Sequence, residues 1–62
     1  EGMTNVVSML EDMISILNET MKDAAKSAKG NKTAGTRVRK VMQDIKRSAQ
    51  DVRNQIQENR AE

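Results

Sequence analysis

Basic residues are concentrated in one short stretch, where their spacing would suit the binding of phosphate groups. Residues 29–40 read KGNKTAGTRVRK, with five bases around a glycine-containing turn. If a helix begins at this turn, its N-terminus offers free N–H groups and the positive end of the helix dipole, and both attract phosphate. Bases at this position oppose the dipole and cost the fold some stability, which favours a function for them. The alternative is a solvated turn with ordinary surface charges.

Two hydroxyl residues and a second glycine lie within the same stretch. Thr33 and Thr36 could donate hydrogen bonds to phosphate, and Gly35 leaves room for the close approach of a ligand. The letters GNKTAG superficially resemble a nucleotide-binding loop. However, no strand precedes them and the Gly-Lys-Ser/Thr ending is absent, so nucleotide binding is not predicted.

The charge of the chain is distributed unevenly, although its net charge is only +2. Residues 1–25 hold one base and five acids, a net charge of −4. Residues 26–47 hold eight bases and one acid, a net charge of +7, and residues 48–62 hold two bases and three acids, a net charge of −1. A block of +7 in the middle of the chain predicts a polyanionic partner.

A row of bases repeats every seven residues, which places it on one stripe of a helix. Its members are Lys32, Arg39, Lys46, Arg53 and Arg60. One interpretation is a line of charges that follows a phosphate backbone. The other is a set of interhelical ion pairs, for which the first half offers Glu11, Glu19 and Asp23. We favour ion pairs for the last two bases of the row and leave both interpretations open for the first three.

The composition excludes most other chemistries. The chain has no His and no Cys, so the usual neutral-pH base, the commonest metal ligand and disulfides are all missing. No cluster of acids would hold a metal, and no nucleophile has a plausible base. We therefore expect no enzymatic activity, no cofactor and no small-molecule substrate. No apolar run approaches the ~20 residues that span a bilayer, and the N-terminus lacks the pattern of a secretory signal, so we expect no membrane partner.

Apolar residues of the first half follow the spacing of a helix. One row alternates steps of four and three, as in a coiled-coil seam. Its members are Met3, Val7, Leu10, Ile14, Leu17, Met21, Ala24 and Ala28. A second row widens this apolar face and consists of Val6, Met9, Met13 and Ile16. Such a wide face predicts contact with at least two neighbouring helices.

The second half repeats the heptad spacing, and the two halves meet at a glycine. The second row of this kind runs through Val38, Met42, Ile45, Ala49, Val52, Ile56 and Asn59. Gly30 suits the left-handed position that ends a helix, and Asn31 suits the N-cap of the next one. We prefer this tight turn to the alternative, in which Thr36 is the cap and residues 30–35 form a loop. Small residues on both sides, including Ala34 and Gly35, would let the helices approach closely.

These patterns predict an all-α fold, an antiparallel two-helix hairpin in a single domain over residues 1–62. Helix 1 is expected at about 3–29, the turn at about 30–31 and helix 2 at about 32–60. A lone hairpin cannot cover its apolar stripe, so we expect a homodimer that forms a coiled-coil-like four-helix bundle. The expected core and dimer residues are Val6, Val7, Leu10, Met13, Ile14, Leu17, Met21, Val38, Met42, Ile45, Val52 and Ile56.

The segment AKGNKTAGTRVRKVMQDIKR, residues 28–47, resembles the bacterial linker-histone-like family found in chlamydiae and Bacteroidetes. Members carry a Lys-Gly-Asn-Lys-Ala-Ala-(Gly/Ala)-x-Arg-x-Arg pattern after an acidic amphipathic helix. The matching residues here are Lys29, Gly30, Asn31, Lys32, Ala34, Gly35, Arg37 and Arg39. Thr33 stands where the pattern has Ala. Chlamydial members also carry a Lys- and Ala-rich tail, which residues 48–62 do not resemble.

The resemblance implies a nucleoid-associated protein of the bacterial cytoplasm that binds double-stranded DNA without sequence preference and condenses it. Together with the basic block, it predicts contacts to the phosphate backbone by a defined set of residues. These are Lys26, Lys29, Asn31, Lys32, Thr36, Arg37, Arg39, Lys40 and Arg47. Whether a dimer would bridge, bend or coat DNA is left open by the sequence.

Two other hypotheses compete with DNA binding. The chain could be a coiled-coil assembly module whose basic residues meet an acidic protein partner, with no role in nucleic-acid binding. RNA or single-stranded DNA is a weaker alternative, because the chain has no aromatic side chain on which bases could stack.

Overall fold

The protein is a hairpin of two long α-helices joined by a tight turn. The computed structural model describes the backbone of residues 2–60 and the side chains of residues 5–59. Helix α1 runs over Gly2–Ala28 and helix α2 over Lys32–Arg60, and the two pack against each other. The hairpin measures 49 × 15 × 11 Å. The all-helical, two-helix part of the expected fold is therefore confirmed.

The turn depends on the backbone conformation of Gly30 and on the side chain of Asn31. Gly30 has a φ of +100°, a conformation that L side chains rarely adopt. The amides of Gly30 and Asn31 donate to the carbonyl oxygens of Ser27 and Lys26, at 2.9 and 3.1 Å, which satisfies the end of α1. The Asn31 side-chain oxygen accepts from the Ala34 amide at 2.9 Å and so caps α2. Of the two turns that the sequence allows, the structure has the tight one, and Thr36 lies inside α2 instead of capping it.

The helices contact each other through Val6, Met9 and Met13 of the second apolar row of α1, whereas its fourth member, Ile16, is 38% exposed. Val6 and Val52 are buried, and a further set is half-buried. The half-buried apolar set is Met9, Met13, Ala24, Val38, Val41 and Ile45. Because consecutive positions are 100° apart around a helix, α2 can cover only one side of the wide apolar face of α1.

Within a single chain, the hairpin buries only part of the expected core and dimer set. Seven expected core residues are exposed within one chain, from Leu17 and Ile56 at 38% to Met21 at 66%. The seven are Val7, Leu10, Ile14, Leu17, Met21, Met42 and Ile56. Val6, Met13, Val38, Ile45 and Val52 do lie between the helices. The side chain of Met3 lies outside the described residues.

Small residues bring the helices close together near the turn. Ala34 is completely buried. A Cβ atom added at Gly35 would lie 3.0 Å from the Ser27 hydroxyl oxygen, so α1 and α2 approach closely here. Farther from the turn, buried Thr20 donates its hydroxyl hydrogen to the carbonyl oxygen of Ile16 at 2.7 Å. This bond satisfies a polar group inside the interface without a partner from α2.

Candidate nucleic-acid interface

A basic stripe runs along the side of α2 that faces away from α1. Its members recur at helical spacing, on the side opposite the residues that pack on α1. They are Lys32, Thr36, Arg39, Lys40 and Arg47, and all are exposed. At a rise of 1.5 Å per residue, the stripe is about 22 Å long. We call these five residues the basic stripe.

The turn extends the basic stripe across the end of the hairpin. Lys26 lies in the last turn of α1, Lys29 lies between the helices, and both side chains are exposed. The amides of Lys32 and Thr33 precede the first N–H groups that bond within α2, so they are free to meet an anion. The end of the hairpin thus combines charged side chains with the positive end of the α2 dipole.

The bases of the stripe and the turn form no ion pair with an acid in the described part of the chain. Among residues 5–59, the one ion pair is that of Arg37 with Asp23. The exposed bases without an ion pair are Lys26, Lys29, Lys32, Arg39, Lys40 and Arg47, and of these Lys26 lies near enough to Asp23 to interact with its charge. Unpaired bases that lie close together repel each other, and a bound polyanion removes that cost.

Arg37 differs from the other expected DNA-binding residues because Asp23 holds it. Its Nε and Nη2 atoms donate to the two carboxylate oxygens of Asp23, at 3.1 and 2.8 Å. These hydrogen bonds, opposed by partial desolvation and aided by the charges of Arg37 and Lys26, hold the pKa of Asp23 below its ordinary value. The same pair raises the pKa of Arg37. Two of the five guanidinium N–H groups are engaged, and three remain for a ligand.

Two residues of the stretch serve the helices rather than a ligand. The Thr36 hydroxyl donates to the Lys32 carbonyl oxygen at 3.2 Å. In this conformation its hydrogen is not available to phosphate, contrary to the expectation from the sequence. Its oxygen can still accept a hydrogen bond. The small size of Gly35 accommodates Ser27 of α1, which replaces the interpretation that it makes room for a ligand.

The expected ion pair of Arg53 is not present within the hairpin. Arg53 is exposed and forms no ion pair in the described part of the chain, and the same holds for Lys46. Glu11 and Glu19 lie on faces of α1 that the heptad row of α2 does not reach. The side chain of Arg60, the last base of this row, lies outside the described residues.

Sequence reasoning missed the pairing of Asp23 with Arg37, although the signal was present. Once the turn is centred on Gly30, residues at equal distances from it lie side by side in the antiparallel helices. Asp23 and Arg37 each lie seven residues from that centre. The position of the turn therefore predicts the pair, whereas the heptad row of bases points to other residues.

Other kinds of site are not found in the region that the structure covers. Within that region, no group of three or more Asp or Glu residues could hold a metal ion. None of its helices is both long and apolar enough to cross a membrane.

Comparison with known proteins gives one informative match. No curated protein and no solved structure matches the chain. The family model described as "Histone H1-like protein Hc1" matches residues 7–62, which include all of α2 and most of α1. The match extends well beyond the basic segment that carries the resemblance in the sequence. The chain therefore belongs to the histone H1-like Hc1 family.

Proposed function

We propose that this protein is a nucleoid-associated, histone-like protein that binds double-stranded DNA through its phosphate backbone and organises it. Membership of a histone H1-like family supports a chromatin role without enzymatic activity. The observation that carries the proposal is the set of exposed bases on the stripe and turn, none of which forms an ion pair in the described part of the chain. The residues proposed to meet phosphate are Lys26, Lys29, Lys32, Arg39, Lys40 and Arg47.

Binding is proposed to be largely independent of sequence. The stripe presents Lys and Arg, whose contacts to phosphate carry no sequence information. The side-chain oxygen of Asn31 caps α2, and its exposed Nδ2 group, which has no partner in the described part of the chain, can still donate to phosphate. We further propose that the working form is a homodimer, because the exposed apolar residues of both helices need a partner.

Binding of fluorescent duplexes tests the proposal. Two unrelated random-sequence duplexes of equal length are titrated with the protein over a salt series. The expected result is equal affinity for both duplexes and a steep linear fall of log K with log salt, because bound phosphates release counterions. No binding at low salt, or a strong preference for one duplex, would overturn the proposed function.

The exposed apolar face also favours a second candidate, a coiled-coil assembly module without DNA binding. The variant Arg39→Glu separates the two. Arg39 is exposed and has no partner in the described part of the chain, so the variant is expected to keep its helicity and to lose DNA affinity. Loss of helicity would instead show that the fold or its assembly needs the positive charge of Arg39.

A further inference from the structure

One side of the hairpin presents an apolar surface that nothing in a single chain covers. It consists of Val7, Leu10, Ile14, Leu17 and Met21 of α1 with Met42 and Ile56 of α2, all at least 38% exposed. Helical periodicity places these residues on one side of the hairpin and the Asp23–Arg37 pair on the other. We call this set the exposed apolar face.

A second copy of the chain is the occupant that this surface fits. Among the described side chains, the buried apolar residues are only Val6, Ala34 and Val52, too few to stabilise a hairpin that has no disulfide. Heptad spacing is the pattern by which helices bury such rows against each other. Two copies can meet face to face in two ways, and the hairpin discriminates between them.

If the two-fold axis runs across the hairpins, α1 packs on α1 of the partner and α2 on α2. If the axis runs along them, α1 of each copy packs on α2 of the other, and both turns lie at the same end. The first arrangement must centre both apolar rows on one axis. The row of α1 is centred on Ile14, midway between Val7 and Met21. The row of α2 is centred on Ala49, midway between Met42 and Ile56.

These two centres do not lie at the same height. The Asp23–Arg37 pair sets the register, so that the numbers of neighbouring residues on α1 and α2 add to 60. Ile14 therefore lies beside Lys46, three residues from Ala49, a stagger of about 4.5 Å along the helix. An axis through Ile14 would place Lys46 against Lys46 of the partner subunit. With the axis along the helices, each residue keeps its height, and the row of α1 lies against the row of α2.

Charge favours the same arrangement. Lys46 and Arg53 flank the apolar row of α2, and neither has an acidic partner in the described part of the chain. Packing α2 on α2 about an axis near Lys46 would bring Lys46 close to its own copy and Arg53 close to the partner's Arg39, which costs free energy. Packing α1 on α2 instead places Lys46 near Glu11, which flanks the row of α1 on its outer side.

From these relationships, we infer that two chains dimerise through the exposed apolar face with the two-fold axis along the helices, so that both basic turns lie at the same end. The inference deepens the proposed function, since it gives one DNA duplex two adjacent basic ends rather than bridging two duplexes. Each turn half, residues 16–44, carries seven bases and three acids. The two halves repel each other in the free dimer, and DNA or salt relieves that repulsion.

Disulfide trapping tests the arrangement, because the chain has no cysteine of its own. Leu10 and Ala49 would lie at nearly the same height on α1 and on α2 of the other copy. Full-length chains carrying Leu10→Cys and Ala49→Cys separately are mixed and oxidised without DNA. The expected product is a disulfide-linked heterodimer. Ile14→Cys alone should not cross-link with itself, and Ser15→Cys, which is exposed on another side of α1, is the matched control.

Three outcomes would overturn the inference. Self-linkage of Ile14→Cys without the Leu10–Ala49 product would assign the axis across the hairpins. Equal linkage of the Ser15→Cys control would mean that the cross-links arise from collision. A monomer in sedimentation of the unsubstituted chain at both low and high salt would exclude the dimer itself. Because DNA is absent from all these measurements, failure of DNA binding would leave their result unchanged.

Discussion

Arg37 of α2 holds Asp23 of α1 by two hydrogen bonds, from Nε at 3.1 Å and from Nη2 at 2.8 Å. This pair links the two helices directly through polar groups and fixes their register near the turn. It also removes one base from the set that stands free for a polyanion. The same guanidinium group thus contributes to the fold and lies beside the proposed DNA surface.

Replacing the Asp23 carboxylate by an amide should make the hairpin less sensitive to acid. The pKa of Asp23 is lowered from its ordinary value of 3.8, so its ionised form stabilises the folded state at pH values above the unfolded pKa. That contribution is lost as the pH falls through the folded pKa. Asp23→Asn should therefore melt slightly below the wild type near neutral pH, and the difference in Tm should vanish in strong acid. A difference in Tm that does not change with pH would show that the negative charge of Asp23 does not stabilise the folded state.

Arg37 should contribute less to DNA binding than Arg39. Two N–H groups of Arg37 are engaged by Asp23, whereas Arg39 has no partner in the described part of the chain. Arg39→Gln should reduce the salt slope of log K by about one, as expected for one lost phosphate contact, and Arg37→Gln by clearly less. The double variant Asp23→Asn/Arg37→Gln controls for the carboxylate left unpaired by the single change. An equal or larger effect of Arg37→Gln would mean that DNA displaces Asp23.

The turn should depend on the handedness of residue 30. Gly30 has a φ of +100°, and a Cβ atom added there would have no heavy atom within 4 Å. Glycine is therefore required for the positive φ, and not because a larger side chain would clash. Gly30→Ala should destabilise the fold by roughly 1–2 kcal/mol. A synthetic chain with D-alanine at position 30 should retain the wild-type Tm, because a D residue adopts positive φ readily. Equal Tm values for the two alanine forms would contradict this account.

Substitutions of Asn31 should separate the fold from DNA binding. Asn31→Ala removes the cap of α2 and should cost about 1 kcal/mol. Asn31→Asp keeps a good cap and adds a negative charge at the helix N-terminus, so its Tm should equal or exceed that of the wild type. The same charge lies among the bases of the turn and should weaken DNA binding. Unchanged affinity of Asn31→Asp would remove the turn from the proposed interface.

Local features of the chain could be predicted from the sequence because each depends on a few neighbouring residues. Gly30 and Asn31 sufficed for the turn, and the apolar spacing sufficed for two helices. The sequence could not say which of two adjacent apolar rows on α1 faces α2, since both satisfy helical periodicity. Val6 and Met13 lie at the interface with α2, while Val7 and Ile14 are exposed. This choice depends on contacts between residues far apart in the sequence, which a local pattern does not contain.

The most direct test of the central claim is the salt dependence of DNA binding by a stripe variant and a matched control. The variant Lys32→Gln/Arg39→Gln/Lys40→Gln removes three bases of the basic stripe. Lys22→Gln removes one exposed base from the outer side of α1. Helicity of both is checked by circular dichroism. We expect the slope of log K against log salt to fall by about 0.9 per base removed in the stripe variant and to remain unchanged in Lys22→Gln. Equal losses per base in the two variants would show that net charge, and not the outer side of α2, attracts DNA.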